Sequence, residues 1–211
     1  MLTLYGHKIS IRSNKVEMVA NALGLEFKFI QLDLMAGEHK KPEFLAINPL
    51  GKIPAIDDDG FHLFESNAII KYLTRKQGSG LYPQDLVQQA IVDQWLDFAA
   101  NHIDSKIVSI VFNRFIAAKT PQGVDERSVS EAYDFLNTYL PQLDTQLAKN
   151  AYLAGEAMTL ADINLLAIID PVEIAEIDIS PYTHLNRWRT ALRGQEFYLK
   201  VHQHFGEGLK G

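Results

Sequence analysis

The chain has 211 residues, 47% of them hydrophobic and 22% charged, with a formal net charge of −6. That length and apolar content support one large or two small domains with real cores and exclude a mostly disordered chain. The acidic balance argues against bulk nucleic-acid or anionic-membrane binding. Zero cysteines exclude disulfides, thiolate metal sites and any mechanism built on a protein thiol.

No apolar run approaches the ~18–20 residues of a membrane-spanning helix, and residues 1–10 lack the pattern of a secretory leader, so a cytoplasmic chain is expected. Charge is uneven along it. Residues 1–78 carry 10 Lys/Arg against 9 Asp/Glu, whereas residues 79–211 carry 10 against 17, which favours the first third as the home of an anionic ligand.

Residues 2–5 form a β-like run, followed by a turn at Gly6-His7-Lys8. Apolar positions then recur at Val16, Val19, Ala20 and Leu23, the spacing of an amphipathic helix over 11–23, with Gly24 as its stop. Residues 26–32 read as a second strand and 42–47 as at most a short helix. Residues 53–56 and 61–64, joined through Asp57-Asp-Asp-Gly60, read as a hairpin with an acidic turn. Residues 66–75 are helical again, so the first third is a compact mixed α/β unit.

The turn-rich stretch 77–83 is the expected linker, and beyond it strands vanish. A long apolar-periodic helix is expected over 90–116, broken at Thr120-Pro-Gln-Gly123. A second covers 129–147, a short and nearly all-apolar one 160–169, and two more 185–192 and 196–205. The fold class is α/β plus all-α, divided as residues 1–78 and 86–211.

Asn48-Pro-Leu-Gly-Lys-Ile-Pro54-Ala, followed by Leu63-Phe-Glu65-Ser66-Asn-Ala-Ile-Ile-Lys-Tyr-Leu73, resembles the glutathione-binding half of cytosolic glutathione transferases. Leu153-Ala-Gly155 and Thr159-Leu-Ala-Asp162 resemble that family's signature in the second half. The match runs in order along essentially the whole chain. Gly6-His7-Lys8-Ile9-Ser10 and Gly37-Glu38-His39-Lys40-Lys41-Pro42 look most like the phi class, with theta-like classes next.

The resemblance implies a thioredoxin-like N-terminal domain, an all-helical C-terminal domain and a detoxifying homodimer. That enzyme would use glutathione as co-substrate, need no metal, and act on a small hydrophobic electrophile. It further implies a cis bond before Pro54, which would let the backbone of Ile53 pair with the cysteinyl part of glutathione. Glu65 and Ser66 would take the γ-glutamyl ammonium and carboxylate, and the start of a helix suits a carboxylate in any case. His39 and Lys40 are placed near the glycine carboxylate and Lys52 near the peptide backbone. Pro42 and Glu43 are transposed relative to the common phi order. Leu50 stands where related chains carry an aromatic dimer key, which implies a flatter interface.

Ser10 is the expected catalytic residue. A free thiol has a pKa of about 8.5, and lowering it by about two units needs roughly 2.7 kcal/mol in favour of the thiolate. One hydrogen bond to a charged group contributes about 1.5–3 kcal/mol, and a helix start adds a little more. Ser10 also suits a plain N-cap. Ser13, three residues on, and Tyr5, ending the first strand, are its competitors, while Arg12 is either a further thiolate stabiliser or a surface residue.

Thr159 and Asp162 form a capping box and read as folding residues. Ile9, Ile11, Phe112, Phe115 and either Tyr198 or Phe205 are expected to line the electrophile pocket. Spacing among the seven histidines, His102, His184, His202 and His204 included, does not suggest a metal. The rival readings are glutathione-dependent peroxidase or isomerase chemistry on the same fold, and a non-catalytic glutathione-binding regulatory module.

Overall fold

The computed structural model describes residues 1–202. Strand β1 (Leu2–Gly6) pairs in parallel with β2 (Phe27–Gln31) and antiparallel with β3 (Ala55–Asp58), which pairs antiparallel with β4 (Phe61–Phe64). The sheet order is β2-β1-β3-β4. Helix α1 (Ile11–Ala22) makes the crossover from β1 to β2, and α3 (Ser66–Lys76) follows β4.

Both faces of this sheet are apolar. Leu2, Leu4 and Ile56 meet Val16, Val19, Ile69 and Ile70 of α1 and α3 on one face. Tyr5, Ala55 and Phe64 meet Phe44 of the four-residue helix α2 (Pro42–Leu45) on the other. The first strand of the hairpin lies two residues later than its composition suggests, and the second lies where expected. Asp57 and Asp58 belong to β3, and the turn is Asp59-Gly60, both with positive φ, 53° and 89°. Pro54 therefore precedes the strand, as a residue without an N–H should.

The expected helix over 90–116 is a rod in three pieces. Helix α4 (Leu86–Phe98) passes into a π-helical segment (Ala99–Asp104) and on into α5 (Ser105–Phe115). Apolar spacing of 3 and 4 does not reveal one extra residue within a turn, so the sequence read it as continuous. Helices α6 (Glu126–Lys149), α7 (Leu160–Ile169), α8 (Thr183–Arg193) and α9 (Glu196–Leu199) complete the helical part. The helix expected to run to 205 ends at Leu199, and its last residues lie outside those described.

Every residue of α7 is buried, as a wholly apolar helix must be. Helix α1 is nearly as enclosed, because α3, α7 and α9 pack around it and β1 adjoins it. Ser13, Asn14, Lys15 and Glu17, polar in sequence, are each at most 5% exposed. The capping box at the start of α7 is present, and Asp162 accepts from the backbone N–H groups of Leu153 and Thr159 and from Trp188 Nε1.

Candidate functional site

A cleft of about 360 Å³ opens between the sheet domain and the π-helical segment. The loop before β3 contributes Asn48, Lys52, Ile53 and Pro54, and the entry to α3 contributes Glu65, Ser66 and Asn67. Helix α1 adds Arg12 and Lys15, and the rod adds Ala100 and Asp104. The π-helical turn is where the rod meets the cleft, a usual place for that irregularity.

The Ile53–Pro54 peptide is cis. Asn48, 2% exposed, ties the loop from within: its Nδ2 donates to Lys52 O at 2.6 Å and its Oδ1 accepts from Leu50 N. Gly51, at φ +57°, lies so close to the preceding loop that a Cβ there would stand 2.7 Å from His39 O.

Glu65 has φ +70°, an uncommon conformation for a side-chain-bearing residue and the kind of local strain that gathers at functional sites. It occupies the cap position of α3, so Ser66 is the first helical residue and not the cap that its residue type suggests. Its hydroxyl therefore does not cap the helix.

Two of the predicted glutathione-binding residues stand apart from this lining. Lys40 Nζ donates to Gly51 O at 3.1 Å, and His39 lies in the same loop with Nδ1 buried and unpartnered, but neither residue lines the cleft. Two charged residues that sequence reasoning left out do line it. Asp104, 8% exposed, takes Arg12 Nε and Nη2 on one oxygen at 3.0 and 2.7 Å, leaving Oδ1 buried without a partner. Lys15, 5% exposed, donates to Asn67 Oδ1 at 2.5 Å and Asn164 Oδ1 at 2.8 Å. The sequence signal for both was a charged residue inside an otherwise apolar helical stretch, which is ordinarily a solvated face.

Beside the cleft lies a smaller, mainly apolar hollow of about 180 Å³, walled by Ile9, Ser10 and Ile11 on one side and Val108, Val111, Phe112 and Ile116 on the other. Arg12 borders both cavities, and it is the residue their linings share. Ser10 is the N-cap of α1, its Oγ accepting from Ser13 N at 3.2 Å, which leaves the hydroxyl hydrogen for another partner. Ser13 is fully buried under Gly6, and its Oγ accepts from His7 N.

Tyr5 points to the opposite side of the sheet, against Phe44 at 5.9 Å between ring centroids, with burial and then Asp57 raising its phenol above the ordinary value. Of the expected electrophile-pocket residues, Ile9, Ile11 and Phe112 line the hollow and Phe115 does not. Tyr198 is fully buried with its hydroxyl on Asp170 at 2.7 Å, and Phe205 and His204 lie outside the described residues. A larger hollow of about 460 Å³ at the ends of α6 and α8 holds none of the predicted residues.

The fold and the paired cavities define a two-domain protein: a thioredoxin-like sheet domain carrying a polar cleft, and a helical domain closing an apolar hollow beside it. Residues 1–75 match the model of the glutathione S-transferase N-terminal domain, and residues 104–196 that of the C-terminal domain. The chain belongs to the glutathione S-transferase family, and its activity is the transfer of glutathione to electrophiles.

It is 36% identical over 190 residues to glutathione S-transferase D7 of Drosophila melanogaster, covering 89% of this chain and 82% of that one. A delta-class glutathione transferase of Nilaparvata lugens is 31% identical, with a TM-score of 0.84 over 99% of this chain and 96% of the other. Glutathione S-transferase I from maize, in complex with an atrazine glutathione conjugate, is 29% identical, with a TM-score of 0.88 over 95% of each chain.

Proposed function

We propose that the polar cleft holds glutathione and the apolar hollow a small hydrophobic electrophile, and that their junction is the reaction centre. The observation that carries this reading is the sharing of Arg12 between two cavities of opposite character, with Ser10 in the wall of the apolar one. The backbone of Ile53 pairs with the cysteinyl residue, Lys52 lies along the tripeptide, and the start of α3 at Ser66 takes the γ-glutamyl carboxylate. Glu65 and the unpartnered Oδ1 of Asp104 are acceptors for the γ-glutamyl ammonium. His39 and Lys40 reach the glycine carboxylate once Lys40 leaves the carbonyl of Gly51.

The sulfur then lies where the cavities meet. Ser10 donates its hydroxyl hydrogen to it, and the N-terminus of α1 and the Arg12 guanidinium add positive potential. With an aryl halide, the thiolate attacks the carbon bearing the halogen, a C–S bond forms, the C–halogen bond breaks and halide leaves. The atrazine conjugate held by the maize relative supports a haloarene of this size.

The same proposal takes residues 1–78 as the glutathione domain and 86–211 as the electrophile domain. It places the enzyme in the cytoplasm as a homodimer, which the exposed side chains of Phe61, Leu86 and Val87 support. Titration calorimetry with glutathione, together with conjugation of a generic aryl halide, tests it. Binding with turnover supports the transferase, binding without turnover on any electrophile or hydroperoxide favours a regulatory module, and no binding sinks the reading.

A further inference from the structure

Lys15 carries a buried amine with no ion-pair partner among the described residues. Its amine lies within the protein, lines the glutathione cleft, and has no carboxylate oxygen within 4.0 Å among the described residues. An ammonium has three donors, and the protein supplies two acceptors, the amide oxygens of Asn67 and Asn164.

Burying a charge on neutral hydrogen bonds alone is costly, so a lysine serving only to join α1, α3 and α7 would be a poor choice there. The same cleft presents the start of α3, where Asn67 is the second helical residue. A carboxylate at that helix start would come within reach of the third donor.

We infer that Lys15 is a glutathione-binding residue whose ammonium pairs with the γ-glutamyl carboxylate at the start of α3. This rests on the glutathione reading of the cleft. The charged groups facing Lys15 are Arg12 on its own helix, Asp104 from the π-helical segment and Glu65 before α3. Burial lowers the amine to about 7, opposed by Asp104 and Glu65 and reinforced by Arg12. Above that pH the free cleft holds a neutral amine, and an arriving carboxylate restores its proton. Binding is therefore coupled to proton uptake.

The test uses S-methylglutathione, which has no thiol proton to lose. Calorimetric titrations at pH 8, in two buffers of different ionisation enthalpy, give the number of protons exchanged on binding. The wild-type chain should take up about 0.9 of a proton at pH 8, one unit above an amine pKa of about 7, and close to none at pH 6. Lys15→Met should bind at least about tenfold more weakly, the lower end for a charge-assisted hydrogen bond, and take up almost nothing. Lys15→Arg keeps the charge without titrating, so it should bind with no uptake, and it stands in if Lys15→Met does not fold.

Lys15→Met binding S-methylglutathione as tightly as the wild type overturns the inference and leaves the transferase reading intact. So does uptake that persists in Lys15→Arg. Failure of the wild type to bind S-methylglutathione removes the glutathione reading itself, and this inference with it.

Discussion

Replacing Ser10 by alanine removes two things at once, and the structure separates them. The first is a helix cap: Oγ accepts from Ser13 N at 3.2 Å, and losing that bond costs about 1 kcal/mol. For a chain of this size that lowers Tm by roughly 2–4 °C. The second is the hydroxyl hydrogen, which the cap does not use. A hydrogen bond to a thiolate contributes about 1.5–3 kcal/mol, so the bound thiol's pKa should rise by roughly one to two units.

Near neutral pH the thiolate population, and with it kcat/KM for an aryl halide, should fall about 10- to 100-fold. At alkaline pH the thiol ionises without help, and the mutant should approach the wild type. Ser10→Thr keeps both the cap and the donor and should restore most of the rate. The assay is kcat/KM against pH for the three proteins, with a urea melt of each. A Ser10→Ala enzyme that loses its kcal/mol of stability while its pH profile superimposes on the wild type's would refute the reasoning. Ser10 would then be a cap alone, and thiol activation would fall to Arg12 and the helix start.

Lys15 also shapes stability. The unfolded amine titrates at its ordinary 10.5 and the folded one at about 7, so between these values the unfolded chain holds a proton the folded chain lacks, and stability rises with pH. From pH 7 to pH 9 the wild type should gain about 2 kcal/mol relative to Lys15→Met in urea unfolding; parallel curves would show that the amine is not buried as described.

A methyl group on Gly6 would stand 2.8 Å from Ser13 Oγ and 2.9 Å from Ser13 Cβ, at the point where α1 docks on β1. Gly6→Ala should therefore cost about 1–3 kcal/mol, measurable by the same unfolding. Asp162→Ala orphans the N–H groups of Leu153 and Thr159 and the indole of Trp188, and should cost about 3–5 kcal/mol in chemical denaturation. What folded protein remains should bind glutathione as before, since Asp162 lies outside the cleft.

Periodicity and turn chemistry were enough to read the order of elements, the short apolar helix and the hairpin, because each is set by neighbours in the chain. The errors came where a partner distant in sequence decides. Asp57 and Asp58 looked like turn residues, yet pairing with β1 draws them into β3. The π-helical segment was invisible because its effect on apolar spacing is a single residue.

The motifs led to Pro54, Glu65 and Ser66, all of which meet in one cleft, but not to Asp104 or Lys15. Lys15 is a charged residue of a helix that looked amphipathic, and nothing local announces that α3 and α7 will receive it. Asn67 and Asn164, 52 and 149 positions away, explain where its amine goes.

Three side chains in the wall of the apolar hollow beside Ser10 stand well outside the core, although Ile11 in the same wall belongs to it. Ile9 is 37% exposed, Ile116 49% and Phe112 50%, whereas the buried neighbours of Phe112 on α5, Ile107 and Ile110, are sealed in the core. Substitutions at exposed positions usually alter stability by no more than about 0.5 kcal/mol. If the hollow takes the electrophile as proposed, that choice is written partly on a surface that can be rewritten one residue at a time with little penalty, while the polar cleft, tied by Asn48 and Asp104 into buried structure, stays as it is. Gene copies of such a chain would be free to diverge in what they conjugate long before they diverge in how.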